Sequence, residues 1–171
     1  MVSRLAHQKG TDLVRAVMPH LVDRVKLVVL GSGEPALEEA WRKLAAAWPD
    51  RIAVRIGFDE RLAHLIEAGA DIFVMPSRYE PCGLNQMYSL RYGTPPVVHA
   101  VGGLNDTVNA KNGFKFDEPT AEALQASLAL AISTWKDTRK WRALQKNGMK
   151  VDFSWDRSAR EYVSVYRSAL S

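Results

Sequence analysis

The fold is decided by one stretch, Ile72-Phe73-Val74-Met75-Pro76-Ser77-Arg78-Tyr79-Glu80-Pro81-Cys82-Gly83-Leu84-Asn85. Its apolar run, Ile72 to Met75, stops at Pro76. An acid followed by proline and glycine comes next, and an amphipathic stretch starts near Leu84. This order predicts a strand, a loop and a helix N-terminus. In parallel sheets, ligands gather at such junctions, because free N–H groups and the helix dipole point into the crevice beyond the strand ends.

The same phrase recurs on both sides. Val25 to Leu30 ends at Gly31, and Leu37, Trp41, Leu44 and Trp48 then repeat at helical spacing. Ile52 to Ile56 ends at Gly57, before a helix carrying Leu62, Leu65 and Ile66. Pro96-Val97-Val98 predicts a short buried strand and Phe114-Lys115-Phe116 a last one, with Pro119 where helices favour starting. Beyond it, Leu124, Leu128, Ala131, Ile132 and Trp135 mark one helix face. A second helix spans roughly residues 137 to 148 with Trp141 and Leu144, and a third follows Ser154 with Tyr162, Val165, Tyr166 and Ala169. That tail is expected to be helical and packed. Val2-Ser3-Arg4-Leu5 reads as the end of a strand, followed by a loop and a helix around Asp12 to Val17, so the sequence is expected to begin inside a strand. Short strands alternating with helices predict an α/β fold, a Rossmann-like three-layer α/β/α parallel sheet, in one domain over residues 1–171. Trp41, Trp48, Trp135 and Trp141 fit core or interdomain packing better than sugar stacking.

Composition narrows the function. Hydrophobic residues make up 47% and charged residues 25%, a globular profile. The net charge of +4 comes from scattered basic residues, which argues against nucleic acid and suits a phosphate-bearing ligand. Cys82 is the sole cysteine, so no intramolecular disulfide forms. His7, His20, His64 and His99 lie far apart without metal-ligand spacing, so no metal site is expected. No apolar run approaches the roughly 18 residues of a membrane span, and no signal-like core opens the chain, so a cytoplasmic location is expected.

Several segments in fixed order carry a family resemblance. Ser3-Arg4-Leu5-Ala6-His7-Gln8-Lys9-Gly10, Gly31-Ser32-Gly33-Glu34-Pro35, Ser77 to Gln86, Tyr92 to Thr107 and Phe153-Ser154-Trp155 together resemble bacterial glycogen synthases and plant starch synthases over essentially the whole chain. The resemblance implies the C-terminal, nucleotide-sugar half of a two-domain GT-B glycosyltransferase. It further implies retaining transfer of glucose from ADP-glucose to the nonreducing end of an α-1,4-glucan, with no cofactor or metal. The N-terminal domain with the acceptor site would then be missing, the isolated chain inactive, and self-association of an exposed docking face possible. In a plant or alga the location would be a plastid.

Carried onto this sequence, the resemblance makes Arg4 and Lys9 the cations that contact the diphosphate. Arginine can fork across two phosphate oxygens, while lysine acts as a mobile point charge. Glu80 matches the donor-site glutamate that bonds hexose hydroxyls and faces the developing oxocarbenium charge. Gly83, Leu84 and Asn85 match backbone positions that face phosphate and sugar, with Cys82 beside them; no base motif accompanies that thiol, so it is not read as a nucleophile. Gly31 and Gly33 are either a structural turn or a ligand loop. Phe58 is either a base-stacking ring or a core residue. Gly103 and Thr107 belong to a loop expected near the diphosphate, where Asp106 or Thr107 could equally serve only the local helix. The glutamate that many related enzymes carry eight residues after the first is Tyr88 here, so ribose recognition by a second acid is not carried over. Two other readings stay open: another GT-B glycosyltransferase with a different nucleotide sugar, and a non-catalytic nucleotide-binding module.

Overall fold

A computed structural model describes residues 1–170. Strand β1 (Leu27–Gly31) runs parallel to β2 (Ile52–Ile56), with Leu27 opposite Ile52 and Gly31 opposite Ile56. Strands β3 (Phe73–Met75), β4 (Pro96–His99) and β5 (Phe114–Phe116) form a second parallel set in that order. The N-terminal segment completes the edge of β1. Ser3 N donates to Leu30 O at 3.0 Å and Leu5 N to Ser32 O at 2.9 Å, while Leu30 N donates back to Met1 O at 3.1 Å. Leu27 N and Gly31 O, by contrast, bond toward β2, as expected when successive residues of a strand direct their polar groups to opposite sides. The strand end read at residues 2–5 is therefore present as two isolated parallel bridges, Val2 with Leu30 and Leu5 with Gly33.

Alternation along the strands builds the layers. Val74, Val97 and Phe116 enter one hydrophobic cluster with Leu5, Val29 and side chains of helices α1 (Thr11–Val17), α2 (Pro35–Ala47) and α6 (Ala121–Trp135). Their neighbours Met75 and Val98 pack on the opposite side with Leu104 of the short helix α5 (Gly102–Thr107). Helix α3 (Glu60–Gly69) lies against α4 (Asn85–Tyr92), which in turn meets α7 (Thr138–Lys150). The α6 start falls one residue beyond Thr120, whose side chain accepts from Ala123 N, so threonine rather than Pro119 sets that boundary.

The tail departs from expectation. Helix α8 (Trp155–Ala169) forms, capped by Ser154, yet none of its residues is buried; Trp155, Tyr162, Val165 and Tyr166 are exposed. Its amphipathic period decides that it is a helix, whereas burial depends on the surface brought against it. Trp135 is likewise off the core, exposed and donating Nε1–H to Asp71 Oδ1 at 3.1 Å, while Trp41 and Trp141 are buried. No helix among the described residues is long and apolar enough to cross a membrane.

Candidate functional site

The N-terminal segment, the loop after β3 and the start of α4 converge at the C-terminal ends of the strands. Gly10, with φ of 63°, lets the turn over residues 7–9 lie against the end of β3; a Cβ there would stand 2.0 Å from Pro76 O. This close approach brings Lys9 to Glu80, 71 positions away. Lys9 Nζ donates to Glu80 Oε2 at 2.5 Å, with the side chains 18% and 10% exposed. Ser77 Oγ donates to the same oxygen at 3.1 Å. Glu80 Oε1 makes no hydrogen bond within the described chain, which leaves one carboxylate oxygen for a ligand hydroxyl.

Residues given no role in the sequence reading hold this arrangement together. Arg78 forks onto Asp12, Nη1 to Oδ1 at 2.7 Å and Nη2 to Oδ2 at 2.8 Å, and Nη1 also donates to His7 O. That bidentate pair holds the Asp12 carboxyl below its ordinary value, the Arg78 hydrogen bond being the largest cause. Arg78 N donates to Gln8 O and Gln8 Nε2 to Tyr79 O, lacing the two loops over their length. Arg78 stands inside the quoted motif, but nothing local in the sequence marks Asp12 as its partner.

Two cavities of about 220 Å³ each open side by side. The first is bounded by Arg4, Lys9, Ser77, Glu80, Gly83 and Asn85. The second is bounded by Arg4, Gly31, Ser32, Gly57, Phe58 and Asn85. Val2, Ser3, Arg4 and Asn85 belong to both. The Arg4 guanidinium is exposed between them and, among the described residues, bonds only the neutral Gln8 Oε1, at 3.1 Å, with no acid in ion-pair contact. The N–H groups of Gly83, Leu84 and Asn85 donate to no acceptor among the described residues. Gly83, at φ of 71°, turns the chain where other residues are strained. Leu84 is the N-cap, so the helix proper begins at Asn85. Asn85 Nδ2 donates to Val2 O at 3.2 Å, tying α4 to the N-terminal segment.

Other expected positions lie elsewhere. Phe58 is 90% exposed on the rim of the second cavity, which removes the core alternative. Gly33 lines neither cavity: a Cβ there would meet Leu5 O at 2.1 Å, so it serves the pairing of two backbones. Gly31 does both, since its Cβ would meet Ser3 O at 1.8 Å and it also borders the second cavity. Cys82 is exposed and outside both linings. Gly103 and Thr107 sit behind the site. The Gly103 N–H is already used on Glu80 O and Pro81 O, and a Cβ would stand 1.9 Å from Cys82 O. Thr107 Oγ1 donates to Gly103 O and accepts from buried Gln86 Nε2. Gly102, whose Cβ would stand 2.2 Å from Glu80 O, and Gly103 thus clamp the Glu80 loop from beneath. Among the described residues no group of three His, Cys, Asp or Glu side chains is placed to hold a metal ion.

The profile of the family described as Glycosyl transferases group 1 matches residues 1–150. The chain belongs to that family. Within this group of glycosyltransferases, it is 57% identical over 175 residues to a glycogen synthase of Anaeromyxobacter sp. (strain Fw109-5), covering 98% of this chain and 37% of that protein. A glycogen synthase of Dechloromonas aromatica (strain RCB) is 52% identical, covering 100% of this chain and 38% of its own length. The chain therefore spans little more than a third of the curated relatives it matches. The catalytic domain of starch synthase IV from Arabidopsis thaliana, solved with ADP and acarbose, superposes with a TM-score of 0.87 at 31% identity, covering 98% of this chain and 37% of that one. A glycosyltransferase from Rickettsia africae superposes at 0.81 with 20% identity, covering 100% of this chain and 47% of that one, which extends the likeness of fold alone.

Proposed function

We propose that this chain is the donor-binding domain of a glycogen synthase, taking ADP-glucose in the paired cavities for retaining transfer of glucose to the nonreducing end of an α-1,4-glucan in the cytoplasm. The observation that carries this reading is the Lys9–Glu80 pair lining the first cavity together with the exposed Arg4 guanidinium, which stands at the wall common to both cavities. A nucleotide sugar is bipartite, and the cleft is too. The base and ribose would occupy the lobe bordered by Phe58 and Gly31, with the ring of Phe58 available for stacking. The diphosphate would lie across Arg4, and the glucose would reach Glu80.

Departure of the diphosphate concentrates negative charge where Arg4, Lys9 and the amides of Gly83 to Asn85 can receive it without reorganising. In this reading these groups supply the counter-charge, with no resident cofactor or metal. Glu80 Oε1 would accept from a sugar hydroxyl, while Oε2 stays anchored by Lys9 and Ser77, which fixes the carboxyl group where the oxocarbenium charge would develop. The support from relatives is the high identity to glycogen synthases and the likeness to a starch synthase domain solved with ADP. The glucan acceptor and the rest of its site would come from a second domain, so the 171-residue chain alone is expected to bind donor without transferring it. Calorimetric titration of ADP, UDP and GDP into the chain and its Lys9→Ala variant is the test. Saturable, ADP-selective heat weakened by the substitution is the expected result, and no heat with ADP from a folded sample would refute the reading.

A further inference from the structure

Strand β4 ends in His99, a side chain outside both cavity linings and only 7% exposed. Its ring tilts against Phe116, with centroids 5.5 Å apart. Nδ1 lies 2.8 Å from Ser77 O and Nε2 lies 3.0 Å from Asp117 O. Both partners are carbonyl oxygens, which only accept, so a ring nitrogen bonds its carbonyl only where it carries the proton, and a neutral imidazole carries one. Ser77 is itself buried, and no other donor among the described residues reaches its carbonyl. An unpartnered buried carbonyl is costly, and so His99 is what holds Ser77 in place.

We propose that His99 is a positioning residue for Glu80. Its Nδ1–H fastens the Ser77 carbonyl, and the Ser77 hydroxyl in turn holds the Glu80 Oε2 that Lys9 also grips. The Nε2 contact joins the loop after β5 to the same anchor, so two loops at the strand ends are registered against one ring. The tether itself is independent of any ligand; its consequence for sugar binding rests on the donor-cleft reading above.

Two substitutions separate the two nitrogens. His99→Asn puts an amide N–H near the place of Nδ1 and His99→Gln puts one near the place of Nε2, while both remove the ring. The first readout needs no ligand: long-range proton–nitrogen spectra of the chain report the Nδ1 proton, and the Lys9 ammonium signal reports the Glu80 pair, because free ammonium protons exchange too fast to be seen. The second is the affinity for ADP-glucose relative to ADP, with thermal midpoints recorded for every variant. The proposal expects a proton on Nδ1, a retained Lys9 signal in His99→Asn and its loss in His99→Gln. It expects the ADP-glucose preference to fall about fivefold in the glutamine variant alone, the worth of roughly one hydrogen bond. A bare Nδ1, or asparagine and glutamine variants that behave alike in the Lys9 signal, overturns it. If the unsubstituted chain binds neither nucleotide, the donor reading fails, and the two spectroscopic readouts still decide the tether.

Discussion

Replacing Lys9 by methionine keeps the length of the side chain and removes its charge from Glu80. The pair is mostly buried, at 18% and 10% exposure, with one short bond between the ions. Stripping one partner from a fully buried pair costs about 3–5 kcal/mol, because the remaining ion is left without compensation. The residual exposure and the Ser77 hydrogen bond soften this, so Lys9→Met should destabilise the chain by roughly 2–3 kcal/mol. Glu80→Gln leaves a neutral amide still within reach of Ser77 and Lys9, and should cost about 1 kcal/mol. The double variant has no orphaned charge and should lose only about 1 kcal/mol, giving a coupling energy of about 2–3 kcal/mol. Urea unfolding of the four proteins at pH 7 and one ionic strength measures this. Ligand binding moves differently. Lys9→Met weakens ADP, whereas Glu80→Gln releases the ammonium and removes an anion from the phosphate site. It should tighten ADP by about fivefold, the worth of one partly screened charge contact. If the single losses simply add in the double variant, or if Glu80→Gln weakens ADP, the picture of a cation divided between carboxylate and phosphate is wrong.

Three further outcomes follow from other parts of the chain. Glu67 is 1% exposed and burial pushes its carboxyl up to about 7 from 4.5, with His64 partly opposing. The native state therefore holds that proton more tightly than the unfolded chain, and stability declines as pH rises from 4.5 through 7, by an order of about 3 kcal/mol; Glu67→Gln should flatten that decline in urea melts at pH 5 and 8, and parallel profiles would count against it. Asp12 is the opposite case: its carboxyl is depressed chiefly by the Arg78 hydrogen bond, so its contribution is present above about 3.8 and lost as pH falls through the lower native value. Asp12→Asn should unfold less steeply in acid than the parent, followed by circular dichroism. Truncation before Trp155 should change stability by less than about 0.5 kcal/mol, since no α8 residue is buried; a larger loss in thermal melts would mean that the helix packs.

Local chemistry made much of this protein readable from its residues. The strands at 52–56 and 114–116 and the helix starting after Ser154 follow from alternation, helical period and capping, which act within a few residues. Arg4, Lys9 and Glu80 were recognisable by type and by motif, and the structure places all three around one cavity. Their sequence, however, states only that two cations and an acid exist. That Lys9 grips Glu80, that His99 stands against the Ser77 carbonyl and that Arg78 locks onto Asp12 are contacts across 22 to 71 positions, set by how the parallel strands align their ends. The glycines at 33 and 103 show the same limit. A glycine announces a close approach, but only the fold reveals that backbone rather than ligand fills the space. The exposed α8 completes the contrast, because a helix is determined by its own period, while burial is determined by whatever surface the chain brings against it.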